Sequence, residues 1–140
     1  MNGDGEEMDR RTPLIRAFGV TSVCGLLLAT VPEFLNYYYG TTLQIGFWPF
    51  VLIAAAGGWC TFVSSIGFGA IGGALTALVI SVSGSLSYVL LQKSSFNEAL
   101  RLFLSSVIIT TVLGSFVGFL SGLPVWLWRS WQQSRRRRAG

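Results

Sequence analysis

Few side chains in this sequence could do chemistry. There is no histidine, so the commonest general base and the commonest metal ligand are both missing. The two cysteines, Cys24 and Cys60, stand far apart in separate apolar runs. Their spacing is neither that of a zinc site nor that of a redox motif, and they read as plain buried thiols. An acid inside a membrane span would serve a proton relay, and a series of basic residues a voltage sensor. Here only Arg16 and Glu33 lie near an apolar run, both at its margins, where they reach water. Glu33 is the one acid worth testing, and its simplest role is to cap the outer end of that run. No phosphate-binding glycine loop, dinucleotide fingerprint or nucleophile elbow is present. The expectation is therefore a protein that is not an enzyme and has no catalytic residue, metal ligand or cofactor.

Small residues at helical spacing are the strongest local pattern. Positions four apart line one ridge of a helix. Gly69, Gly73, Ala77, Ser81 and Ser85 form one such ridge, and Ser106, Thr110, Gly114, Gly118 and Gly122 form a second. Helices in lipid gain little hydrophobic energy from one another, so close backbone approach across small residues drives their packing. The plain expectation is that the two ridges face each other as a hairpin within one chain. The alternative is that one ridge joins copies of the chain. Ser83 and Ser87 fall opposite Ser81 and Ser85 at 100° per residue. Backbone-directed hydroxyls on both faces therefore fit better than a one-sided solute path.

The elements that carry these ridges follow from composition. The chain of 140 residues is 51% hydrophobic and 11% charged, against about 25% charged in ordinary soluble domains. Mean hydropathy is +0.59. So small a domain has too much surface to hide that much apolar material from water. Disorder is excluded by the same hydrophobicity, and lipid is the remaining solvent. Crossing about 30 Å of hydrocarbon takes about 20 helical residues. The charge-free runs give four spans, at about 14–31, 45–65, 70–91 and 102–123. Thr12 and Pro13 are a start signal for the first span, and Pro32 with Glu33 is its end. Span one could be a removable signal segment, but no small-residue cleavage pattern follows it, and a retained span is preferred. Gly67 and Gly69 suggest the turn between spans two and three. Ser95 and Glu98 form a capping-box pattern that predicts a helix start near Phe96. Pro124 should break or kink the last span. Continuous apolar runs of this length do not suit the short alternating strands of a membrane barrel.

Four spans put both ends of the chain on one side. Arg10, Arg11 and Arg16 flank the first span, and Arg129 with Arg135, Arg136, Arg137 and Arg138 follow the last. The other side holds Lys93 and Arg101. This asymmetry places both termini in the cytoplasm. Tyr37 to Tyr39, and Trp126, Trp128 and Trp131, read as interfacial belts. The five arginines at 129 and 135–138 are the expected binders of anionic lipid headgroups, which lie nearer to them than any nucleic acid.

The expected organisation is a segment at 1–12 without fixed structure, a four-span membrane domain at 13–123, and an interfacial Trp- and Arg-rich tail at 124–140. The fold class is all-α: a polytopic four-transmembrane-helix bundle with both termini cytoplasmic, a multi-pass protein of the cell membrane. Its expected partners are the lipid bilayer and either other membrane subunits or further copies of itself. The leading function is a non-catalytic subunit or assembly factor of a larger membrane complex. The plan is also similar to that of phage holins, being small, multi-span and basic at the C-terminus, which implies a homo-oligomeric pore. A small passive channel for a neutral solute is the third alternative.

Overall fold

A computed structural model describes residues 3–92 and 95–139. It is all-helical, with α1 at Gly3–Tyr39, α2 at Trp48–Val63, α3 at Ile66–Gln92 and α4 at Phe96–Ala139. Three of these helices, α1, α3 and α4, are long and apolar enough to cross a membrane. The fourth, α2, is shorter. Its 16 residues rise about 24 Å, less than a hydrocarbon core of about 30 Å.

The helices ignore most of the expected stops. α1 begins at Gly3, ahead of the Thr12–Pro13 start, so helix occupies most of the segment expected to lack structure. Pro13 adopts helical φ naturally and forfeits only one N–H bond, and extending an existing helix is cheap. α1 also runs through Pro32 and Glu33 to Tyr39. Ending it at Pro32 would strand the last carbonyls of a helix in an apolar setting, whereas passing through loses one bond. The same reasoning carries α4 through Pro124 to Ala139, so Pro124 does not break the helix, and the Trp- and Arg-rich residues 124–139 are helical. Gly67 and Gly69 lie inside α3, and the turn falls at Ser64 and Ser65 instead. The start of α4 at Phe96 matches the capping pattern in position, with the Ala99 amide donating to the Ser95 carbonyl at 3.0 Å. Lys93 lies outside the described residues.

The α1–α2 connection is held by one side chain. The Asn36 carboxamide donates to the Leu43 carbonyl at 2.9 Å. Its oxygen accepts from the Leu43 amide at 2.8 Å and from the Thr41 hydroxyl at 2.9 Å. Gly40 and Gly46 take positive φ at the two bends of this loop, a conformation that side chains resist.

Close approaches at the glycines fix the helix directions. Gly69 meets Gly118 while Gly73 meets Gly114, so α3 and α4 are antiparallel. Gly57 meets Gly118 while Thr61 meets Gly122, so α2 and α4 are parallel. Gly25 meets Ile80 while Ala29 meets Gly84, so α1 and α3 are parallel. Directions thus alternate along the chain, and the start of α1 and the end of α4 lie at the same end of the bundle. The α2 and α3 helices touch each other and both of their neighbours, whereas α1 and α4 make no contact among the described residues. In cross-section the bundle is a rhombus with α2 and α3 on its short diagonal.

Candidate functional site

The two halves of the bundle differ. At the end shared by the chain termini, α2, α3 and α4 meet through glycine. A Cβ placed on Gly57 would lie 2.5 Å from Gly118 Cα, and one on Gly69 would run into the Thr61 side chain and the Gly57 carbonyl. Gly114 fits against Ala77 and the Gly73 carbonyl, and Gly122 fits against Thr61. Real side-chain carbons never come this close, so each of these positions needs glycine. Thr61 is itself buried, and its hydroxyl donates to the Gly57 carbonyl at 2.8 Å. Farther along, the Ser81 and Ser106 hydroxyls pair at 3.3 Å. Along the α3 ridge, Gly69, Gly73, Ala77 and Ser81 therefore meet α4. On the α4 ridge, Gly122 meets α2 instead of α3.

Three features at this end were not read from the sequence. The first is the place of Gly57 and Thr61 in the α2 surface. The second is a ridge on α1. Ala17, Thr21, Gly25 and Ala29 are buried at successive intervals of four, the same spacing that marks α3 and α4, so the signal was present. The third is Arg129. Its guanidinium donates to the Thr61 and Ser64 carbonyls, each at 3.4 Å, and lies over the Phe62 ring at 5.9 Å. Carbonyls at the end of a helix lack intrahelical partners and carry the negative end of its dipole, which a cation satisfies. Of the arginines expected to meet headgroups, Arg129 thus also caps α2. Arg135 stacks on the Trp131 ring at 3.7 Å. Arg136, Arg137 and Arg138 are exposed in the last turn of α4. Cys60 is buried as expected, but Cys24 is exposed, in a groove between α1 and α2.

The opposite half is open. Leu52, one turn into α2, approaches the point where Gly25 of α1 meets Ile80 of α3. Beyond that level α2 stops while α1, α3 and α4 continue. The gap is a cavity of about 450 Å³. Ala29 and Glu33 of α1 line one side of it, with Ile80, Ser81, Gly84, Ser85, Tyr88 and Val89 of α3 as the floor. Ala99, Leu102, Phe103, Ser106 and Thr110 of α4 line the other side, and Ile45 from the loop reaches in. Glu33 continues the buried ridge of α1, four residues beyond Ala29, and is half-buried. Ser85 and Thr110, the remaining small ridge residues, face this cavity rather than a neighbouring helix.

Among the described residues, no three potential metal ligands of the His, Cys, Asp or Glu type come together. The cavity instead combines one carboxylate, several hydroxyls and apolar walls, a set suited to binding. Comparison with protein-family models, with curated proteins and with solved structures finds no match to this chain.

Proposed function

We propose that the chain is a non-catalytic subunit or accessory factor of a larger membrane complex. It crosses the cell membrane four times with both termini cytoplasmic. The observation that carries this reading is the glycine contact of α2, α3 and α4. It uses the small-residue ridges inside one chain and makes a compact scaffold, leaving large apolar side chains such as Leu26, Phe62, Leu90 and Val112 exposed around it. A self-sufficient bundle with an apolar exterior suits a component that sits in lipid beside other subunits. The alternating helix directions support the shared side of the termini, and the excess of arginine at that end supports its being the cytoplasm. In this reading α2 is one of the four crossings, its reach extended at either end by Phe47 and the polar turn at Ser64.

The native mass of the protein after gentle extraction from its own membrane tests the proposal. A heteromeric particle is expected. A ring of identical chains would overturn it in favour of a holin-like pore. A second reading, a passive path for a small solute, is favoured by the hydroxyl-lined cavity, and flux in liposomes made with the purified chain separates it from the first.

A further inference from the structure

The cavity has a chemistry of its own, independent of whether the chain belongs to a larger complex. We propose that it is a binding site for an amphipathic organic monocation, with the Glu33 carboxylate as counter-charge. The Glu33 side chain is placed there by its register on α1, at the end of the buried ridge Ala17, Thr21, Gly25 and Ala29. It is half-buried, and among the described residues no basic side chain lines the cavity and Glu33 has no hydrogen bond or ion pair. A carboxylate partly removed from water and unpaired favours a cation beside it.

The rest of the lining selects the kind of cation. A calcium or magnesium ion needs six or more hard oxygen ligands, typically with several carboxylates, and one carboxylate among scattered hydroxyls does not provide them. The volume of about 450 Å³ lies within the usual range for sites that take drug-sized organic molecules. Ile80, Leu102 and Phe103 supply apolar wall, and Tyr88 supplies a ring beside the carboxylate end. A quaternary or tertiary amine carrying a hydrophobic group matches both features. The cation meets Glu33 and the Tyr88 ring, and the hydrophobic group lies toward Ile80 and the paired Ser81 and Ser106 hydroxyls. From Ser81 to the end of α3 at Gln92 is about 16 Å at 1.5 Å per residue. The site closes at the glycine-packed half, where Leu52 reaches the contact of Gly25 with Ile80.

The test is equilibrium dialysis of radiolabelled benzyltrimethylammonium against the full chain in neutral maltoside micelles. Saturable binding of one probe per chain is expected. Glu33→Gln should weaken it about tenfold or more, the scale of one lost charge-assisted contact. Glu98→Gln removes an exposed acid outside the cavity and should leave binding unchanged. Ser85→Phe fills the cavity while keeping the carboxylate and should abolish binding. Unchanged affinity in Glu33→Gln, equal loss in Glu98→Gln, or no saturable binding by the native chain would each overturn the proposal. Should Glu33→Gln not fold, judged by its circular dichroism melt, Ser85→Phe decides, and retained binding in that variant refutes the site. None of these outcomes depends on the native mass of the protein, so the subunit reading stands or falls separately.

Discussion

Gly73 and Gly118 each occupy the space that a side chain on the other would need. A Cβ on Gly73 would lie 2.7 Å from Gly118 Cα, and one on Gly118 would lie 2.8 Å from Gly73 Cα. The relationship is reciprocal and backbone to backbone, so no rotamer change relieves it. It sets the α3–α4 distance and the depth at which α2 can join them.

Gly118→Ala should therefore destabilise the bundle by about 1–3 kcal/mol, the usual cost of overpacking, and Gly118→Leu should prevent it from forming. Phe119→Leu, at an exposed neighbour, should change stability by less than about 1 kcal/mol. Gly19→Ala is the control, because a Cβ there meets nothing within 4 Å and alanine is the better helix former. Thermal unfolding in detergent, followed by circular dichroism, ranks the four variants. Equal midpoints for Gly118→Leu and Phe119→Leu would remove the glycine contact as the organising feature.

Arg129→Ala should loosen the end of α2 without unfolding the bundle. The guanidinium reaches two carbonyls that no helical amide satisfies, at 3.4 Å each and partly in solvent, so its contribution is about 1 kcal/mol or less. Hydrogen exchange should speed up at the amides of the last turn of α2 and stay unchanged in the middle of α3. Arg129→Lys keeps the charge but loses the planar fork, and should fall between the two.

Thr76 carries the opposite prediction. It is fully buried, and its hydroxyl has no hydrogen-bond partner among the described residues. An isosteric apolar replacement of an unsatisfied buried group is neutral or favourable. Thr76→Val should therefore leave the melting midpoint unchanged or raise it. Thr61→Val is the contrast, since it removes a buried hydroxyl that bonds the Gly57 carbonyl, and it should lower the midpoint. A large loss in Thr76→Val would mean that its hydroxyl serves a bound water or ligand.

Sidedness is open to direct labelling. With Cys24 and Cys60 replaced by alanine, single cysteines introduced at Gln132 and at Thr42 should react with a membrane-impermeant maleimide from opposite faces. Gln132, near the basic end of α4, should react only when the cytoplasmic face is exposed, and Thr42, in the α1–α2 loop, only from outside. Labelling of both from one face would mean that α2 does not complete a crossing.

How much of this was legible in the residues differs from element to element. The four apolar segments, the hydrophobic environment and the small-residue ridges of α3 and α4 could all be read directly. Each depends on composition or on a fixed helical period, and both are local properties of a chain. The start of α4 at Phe96 was readable for the same reason. The helix start at Pro13 and the helix end at Pro32 were misread, because extending a helix through a proline loses one hydrogen bond, less than leaving the last carbonyls of a helix unpaired. The α1 ridge was present at the same spacing and passed unnoticed.

Sequence by itself determined that this chain is helical, apolar and asymmetric in charge, since those follow from side-chain type and period alone. Tertiary structure decided which helices touch. Gly57 joins Gly118 and Arg129 reaches Thr61 across separations along the chain that no period relates. It also decided that α2 starts a few turns late and leaves Glu33 facing a cavity. The length of one helix matters there only against the helices beside it, and that comparison exists only once they are packed together.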